Sequence, residues 1–127
     1  MPKKILIVDD EIYIRTLLEQ TLEELEEDHD IMILSASNGE EGLEIIRKEK
    51  PELVFLDIMM PKINGYEVCR EITNDDSLKD VTIILLTAKG QEVDRNLGMS
   101  AGALVYMTKP FDPDQILDLS KKLLGLK

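Results

Sequence analysis

Five residues of this chain have the types, and stand at the places, that chemistry needs. Asp9 and Asp10 follow the apolar run Ile5-Leu6-Ile7-Val8, and Asp57 ends the run Leu53-Val54-Phe55-Leu56, with Pro61 four residues on. Thr87 follows Val81-Thr82-Ile83-Ile84-Leu85-Leu86, and Lys109 lies two residues after Ala103-Leu104-Val105-Tyr106-Met107. Each run reads as a strand, so each polar group stands at a strand end. Three carboxylates brought together repel one another and raise one another's pKa unless a cation joins them. Mg²⁺ takes oxygen ligands in octahedral geometry, which suits such a set together with a backbone carbonyl and a phosphoryl oxygen. Lys109 would add a mobile point charge for a phosphoryl group, and Thr87 a hydroxyl donor. In that company Asp57 is a nucleophile, attacking a phosphoryl donor in line while charge on the equatorial oxygens is neutralised. Taken alone, Asp57 reads equally well as the cap of a turn. What decides between the two is whether the strand ends meet.

The elements that would bring them together follow from periodicity. After the first strand, Ile14, Leu17, Leu18, Leu22 and Leu25 fall on one helical face over about four turns. A second strand, Ile31-Met32-Ile33-Leu34-Ser35-Ala36, leads through cap candidates at Ser37 and Asn38 into a helix that runs to about Lys48 and is ended by Pro51. Gly42 inside that helix costs about 1 kcal/mol relative to alanine, so close packing on the sheet is the expected compensation. Asn64-Gly65 turns the chain into a third helix with Val68, Cys69 and Ile72 inward, and a polar loop, Asn74-Asp75-Asp76-Ser77, precedes the fourth strand. The fourth helix, over residues 91–99, has a thin apolar face of Val93, Leu97 and Met99 broken by Gly98, which makes it the least stable element. The last helix starts with Asp112 as N-cap, Pro113 at the first helical position and Gln115 where a capping box wants it, turns Ile116, Leu117, Ser120, Leu123 and Leu124 inward, and closes at Gly125.

Five strand–helix units without a repeat or linker require right-handed crossovers and a parallel sheet covered on both faces. The expected fold class is therefore α/β, a doubly wound five-stranded parallel sheet with one domain over residues 1–127. Sites in such sheets form outside the carboxyl ends of the strands, where strand order reverses. If the order is 2-1-3-4-5, Asp9, Asp10, Asp57, Thr87 and Lys109 share one rim.

Composition narrows the partners. With 26 acidic against 15 basic residues and a net charge of -11, the surface repels phosphate backbones and anionic lipid, which disfavours direct nucleic-acid or membrane binding. The single cysteine, Cys69, allows no internal disulfide and fits a reducing compartment, and the single histidine, His29, lies in a polar segment. The first apolar run, four residues long, is too short for a signal peptide core or a spanning helix, so the expectation is a cytoplasmic protein.

Four stretches carry a family resemblance: residues 5–11 (Ile-Leu-Ile-Val-Asp-Asp-Glu), 56–61 (Leu-Asp-Ile-Met-Met-Pro), 86–89 (Leu-Thr-Ala-Lys) and 106–111 (Tyr-Met-Thr-Lys-Pro-Phe). In this order and spacing, over the whole chain, the sequence resembles a receiver domain of a two-component response regulator, of the single-domain kind that includes the chemotaxis regulators. A member of that family is a standard example of the 2-1-3-4-5 order, so the order is an implication of the resemblance. The resemblance further implies that Asp57 accepts a phosphoryl group from a phosphohistidine of a sensor histidine kinase or phosphotransfer protein. Mg²⁺ would be held by Asp10, Asp57 and the Met59 backbone carbonyl, with Asp9 acting largely through water. Thr87 and Lys109 would hold phosphoryl oxygens, and Tyr106 would move inward with Thr87 as a switch. The output would be the face of the fourth helix, fifth strand and fifth helix, serving a downstream target or self-association. The Lys109–Pro110 bond is cis in the family, against a prior of about 5–6%. Ala88 would leave the phosphoryl site open, and Met59 and Lys89 occupy positions that tune dephosphorylation.

The chain departs from the family pattern at Asn64, where aspartate is frequent, at Gly42 and Gly98, where alanine is common, and at Leu104-Val105, where polar or small residues are usual. The last pair reads either as part of a partner surface on an edge strand or as inward packing. Two other classes compete with the switch: a docking module of the same fold that works without phosphorylation, and a stand-alone enzyme. Intact Asp9, Asp10, Asp57, Thr87 and Lys109 oppose the first. Against the second, aspartyl-nucleophile phosphatases usually carry another aspartate where Met59 stands, and flavin carriers need a phosphate-cradling loop where Asp9-Asp10-Glu11 would repel phosphate.

Overall fold

The computed structural model describes residues 3–60, 63–88, 105–109 and 111–126, with the backbone alone at 88, 105 and 109. Five strands, β1 (Lys3–Val8), β2 (Ile31–Ala36), β3 (Leu53–Asp57), β4 (Thr82–Ala88) and β5 (Val105–Lys109), form one parallel sheet in the order β2-β1-β3-β4-β5. Helices α1 (Ile12–Asp28), α2 (Gly39–Glu49) and α3 (Gly65–Thr73) follow the first three strands, and a C-terminal helix (Pro113–Leu124) follows the fifth. The fold is thus the doubly wound five-stranded sheet in 2-1-3-4-5 order. The helix expected over 91–99, with Gly98, lies outside the described residues, as do Pro61, Lys89, Leu104 and the Lys109–Pro110 bond.

The unbroken apolar runs of the strands serve two cores because successive side chains leave opposite faces of the sheet. Leu6, Val8, Val54, Leu56, Ile83 and Leu85 pack with Leu43 and Ile46 of α2 and Val68, Cys69 and Ile72 of α3. Ile5, Ile7, Leu53, Phe55, Ile84, Leu86 and Met107 pack with Leu18, Leu22 and Leu25 of α1 and Ile116 and Leu124 of the C-terminal helix. Each core strand therefore feeds both layers, and its carboxyl end is held from both sides.

Local signals held at the helix ends. The Asn38 side chain accepts from the Glu41 amide at 2.8 Å to start α2, and the Asp112 carboxylate accepts from Asp114 at 3.0 Å to start the C-terminal helix, which Gly125 closes at φ 70°. The close packing expected at Gly42 is present: a Cβ there would come within 2.9 Å of both Val8 methyls. Lys50 ends α2 in the left-handed region, φ 48° and ψ 60°, immediately before Pro51.

Four details differ from the sequence reading. Leu17 is 37% exposed, because α1 meets the sheet through the narrower stripe Leu18, Leu22 and Leu25. Residues Asp76–Leu78 form a 3₁₀ turn that buries Leu78, where a polar loop was expected. β4 extends to Ala88 and β5 to Lys109, so Thr87 and Lys109 are members of the ladder instead of residues beyond it. Gly65 is the first residue of α3, with Asn64 as its N-cap, and what excludes a side chain there is a close approach of backbone, described below.

Candidate functional site

The rim of the site is made by the ends of the central strands. β1 stops at Val8, but the Asp9 amide still donates to the Ala36 carbonyl at 3.2 Å, so Asp9 is held as an extension of the ladder. Its side chain is fully buried, and Asp9 Oδ1 accepts the Glu11 amide at 2.9 Å, which turns the chain into α1. From the first turns of α1, Arg15 Nη1 donates to the Asp9 carbonyl at 2.7 Å. Asp10, next along, is exposed.

Asp57 ends β3 and is 3% exposed. The sheet continues one step past it through the Ile58 amide, which donates to the Leu86 carbonyl at 3.1 Å. The chain then folds back over this end. Gly65 donates its amide to the Ile58 carbonyl at 2.9 Å, and a Cβ on Gly65 would lie 2.6 Å from the Asp57 carbonyl oxygen and 2.9 Å from Ile58 Cα. Met59 donates its amide to Asp57 Oδ1 at 3.3 Å while its side chain is 65% exposed at the mouth.

Carboxylate oxygens of Asp9, Asp10 and Asp57 lie within 4.8 Å of one another. Two of the three groups are buried, and all three offer hard anionic oxygen, the donor type that Mg²⁺ and Ca²⁺ prefer over softer donors. This chemistry fits a divalent cation, which would offset the repulsion that clustering imposes.

The remaining site residues lie on the next two strands. Asp57 pairs with Leu86, so Thr87 sits one residue further along β4, 3% exposed. Thr87 stands opposite Thr108, and its Oγ1 donates to Thr108 Oγ1 at 3.5 Å. Lys109 is opposite Ala88 in the register; its side chain lies outside the described residues. Tyr106, opposite Leu85, is half-buried against the core on the α2 and α3 side. Asp9, Asp10, Asp57 and Thr87 thus lie at one end of the sheet, with the Lys109 backbone at the same end. Sequence reasoning missed Arg15, Gly65 and Thr108. For Thr108 no sequence signal existed: pairing the strands by their last polar residues would set Lys109 beside Thr87, and only the observed register sets Thr108 there.

Burial places Cys69 elsewhere: it is a core residue on the inner face of α3, and burial pushes its thiol pKa up to about 12. Among the described residues, no helix is long and apolar enough to cross a membrane.

Comparison with known proteins agrees with this arrangement. The family model described as the response regulator receiver domain matches residues 5–121. The chain is 44% identical over 124 residues to the alkaline phosphatase synthesis transcriptional regulatory protein PhoP of Bacillus subtilis, covering 98% of this chain and 49% of that protein. It is 38% identical over 125 residues to protein PilH of Pseudomonas aeruginosa, covering 96% of this chain and 98% of PilH. The chain spans about half the length of several curated relatives it matches, PhoP among them. Among solved structures, the receiver domain of a Pseudomonas aeruginosa sensor histidine kinase, with a magnesium ion coordinated in its active site cleft, superposes with a TM-score of 0.84 at 25% identity, over 98% of this chain and 99% of that one. With its sheet order, its carboxylate cluster and a family match over nearly its whole length, the chain belongs to the response regulator receiver domains.

Proposed function

We propose that Asp57 is the residue that accepts the phosphoryl group, from a phosphohistidine of a sensor histidine kinase or phosphotransfer protein, and that residues 1–127 work as one receiver domain in the cytoplasm. The observation that carries this reading is a buried carboxylate, Asp57, at the end of a central strand with its oxygen within 4.8 Å of those of Asp9 and Asp10. In the step, an Asp57 oxygen bonds to phosphorus as the bond from phosphorus to the donor imidazole breaks, and the imidazole leaves with its electron pair. Asp9, Asp10, Asp57 and the Met59 carbonyl would hold Mg²⁺, which when bound would supply positive charge for the phosphoryl oxygens. Thr87 offers a hydroxyl and Lys109 an ammonium to the same oxygens. The Met59 amide donates to Asp57 Oδ1 at 3.3 Å and so orients the carboxylate. A donor carried on a protein must cover this rim, where Ile12, Tyr13 and Met59 are exposed.

Modification would add a charge of about -1.5 to -2 at the end of the sheet and shift a two-state equilibrium through Thr87 and Tyr106. Tyr106 lines a cleft of about 650 Å³ with Met107, Gln115, Asp118 and Leu119, so its movement would alter the face formed by β5 and the C-terminal helix. That face is the proposed surface for a downstream partner or self-association.

The test is incubation with acetyl phosphate and Mg²⁺, followed by intact mass. The expected result is one added phosphoryl group, lost in Asp57→Asn and lost when EDTA removes the metal. No addition, together with no detectable Mg²⁺ binding, would leave a docking module that works without phosphorylation; addition that persists in Asp57→Asn would assign the acceptor elsewhere.

A further inference from the structure

The Thr87 hydroxyl has one proton and two claims upon it. Thr87 is 3% exposed, so solvent contributes little to satisfying its hydroxyl. Among the described residues its partner is Thr108 Oγ1 across the β4–β5 ladder, at 3.5 Å. This is the long limit of a hydrogen bond, and Thr108 itself is exposed, so water can replace Thr87 as its partner. Both features suit a contact that must be given up. Tyr106 and Thr108 are two residues apart on one strand and so share a face of the sheet, the face to which Thr87 also belongs through Leu85 and Ile83. Thr108 therefore stands in line with the tyrosine proposed to move and directly beside the threonine proposed to move it.

We propose that Thr108 is a positioning residue: it accepts the Thr87 hydroxyl in the unmodified protein and thereby opposes the turn of that hydroxyl toward a phosphoryl group on Asp57. A hydroxyl donates one hydrogen bond at a time, so the phosphoryl oxygen and Thr108 compete for the same proton. Removing the acceptor removes the competitor. This inference rests on the proposed role of Thr87, and the test separates the two.

The probe is beryllofluoride, a mimic of a phosphoryl group on a carboxylate, titrated in saturating Mg²⁺ and read by ¹⁹F NMR of the bound fluorides. Thr108→Val keeps the shape and the strand preference of threonine but cannot accept the bond. It is expected to tighten mimic binding about two- to fivefold, the effect of one weak hydrogen bond lost from the unbound state only. Thr108→Ser keeps the acceptor and loses only the methyl, so it is expected to bind the mimic with wild-type affinity; a gain there equal to that of Thr108→Val would assign the effect to packing and overturn the proposal. In a Thr87→Ala background, Thr108→Val is expected to change nothing. Unchanged or weaker binding in Thr108→Val, or a gain that persists without the Thr87 hydroxyl, overturns the proposal. If Thr87→Ala alone leaves the affinity at its wild-type value, the assignment of Thr87 to the phosphoryl group fails first, and this inference fails with it.

Discussion

Gly65→Ala tests how tightly the loop behind Asp57 is built. A methyl at residue 65 would stand 2.6 Å from the Asp57 carbonyl oxygen, 2.9 Å from Ile58 Cα and 3.2 Å from the Asp57 carbonyl carbon. All three are backbone atoms of the strand end, so no side chain can rotate away, and either the start of α3 or the end of β3 has to shift. Overpacking of this kind costs about 1–3 kcal/mol. Alanine is favoured over glycine by up to about 1 kcal/mol in a helix interior, but residue 65 is the first helical residue, where little of that gain applies. The net expectation is a loss of about 1–3 kcal/mol. At about 2.1 cal/mol/K of unfolding entropy per residue, a chain of this length loses roughly 4 °C in Tm per kcal/mol, so Tm should fall by about 4–12 °C in a calorimetric or far-UV scan. Because the displaced atoms belong to Asp57 and its neighbour, phosphoryl uptake from acetyl phosphate should also slow. Gly125→Ala is the control: it has φ 70° and open space around the added methyl, so it should cost about 1 kcal/mol and leave uptake at the wild-type rate. A Gly65→Ala protein with unchanged or raised Tm would refute the steric reasoning. A large loss of Tm with normal uptake would refute the link between this contact and the site.

Two further outcomes follow from residues away from the rim. Lys50 holds φ 48° at the end of α2, a conformation that opposes a side chain, so Lys50→Gly should stabilise the domain by about 0.5–1 kcal/mol, seen as a higher urea midpoint with an unchanged slope. A destabilised variant would mean that the lysine side chain contributes more than its backbone costs. The Cys69 thiol, raised by burial from an ordinary 9.0 to about 12, should resist iodoacetamide at pH 8 in the folded protein and react readily in urea. Since the folded value is the higher, the stability tied to the neutral thiol is complete below about pH 9 and is lost as the pH rises toward 12; Cys69→Ala should flatten that decline, and an equal decline in both proteins would exclude the thiol as its source.

Much of this protein is legible without its structure because the signals are local. Unbroken apolar runs mark the strands and period-3.6 patterns the described helices, Asn38 and Asp112 announce helix starts by their own side chains, and the polar residues at strand ends are read directly from where apolar runs stop. The family spacing around Asp9, Asp57, Thr87 and Lys109 adds the strand order, which local pattern cannot supply. What only the folded chain decided depends on lateral neighbours. Whether Leu17 or Leu18 faces the sheet is set by the angle at which α1 lies on it. Gly65 looks like half of an Asn-Gly turn until the end of β3 arrives 2.6 Å from where its Cβ would be. The hydroxyls of Thr87 and Thr108 meet only because a parallel ladder aligns residues 21 positions apart in sequence. The carboxylates alone announce a cation and a nucleophile; register and close packing determine how each is held, because they are properties of pairs of elements and no single stretch of sequence contains both.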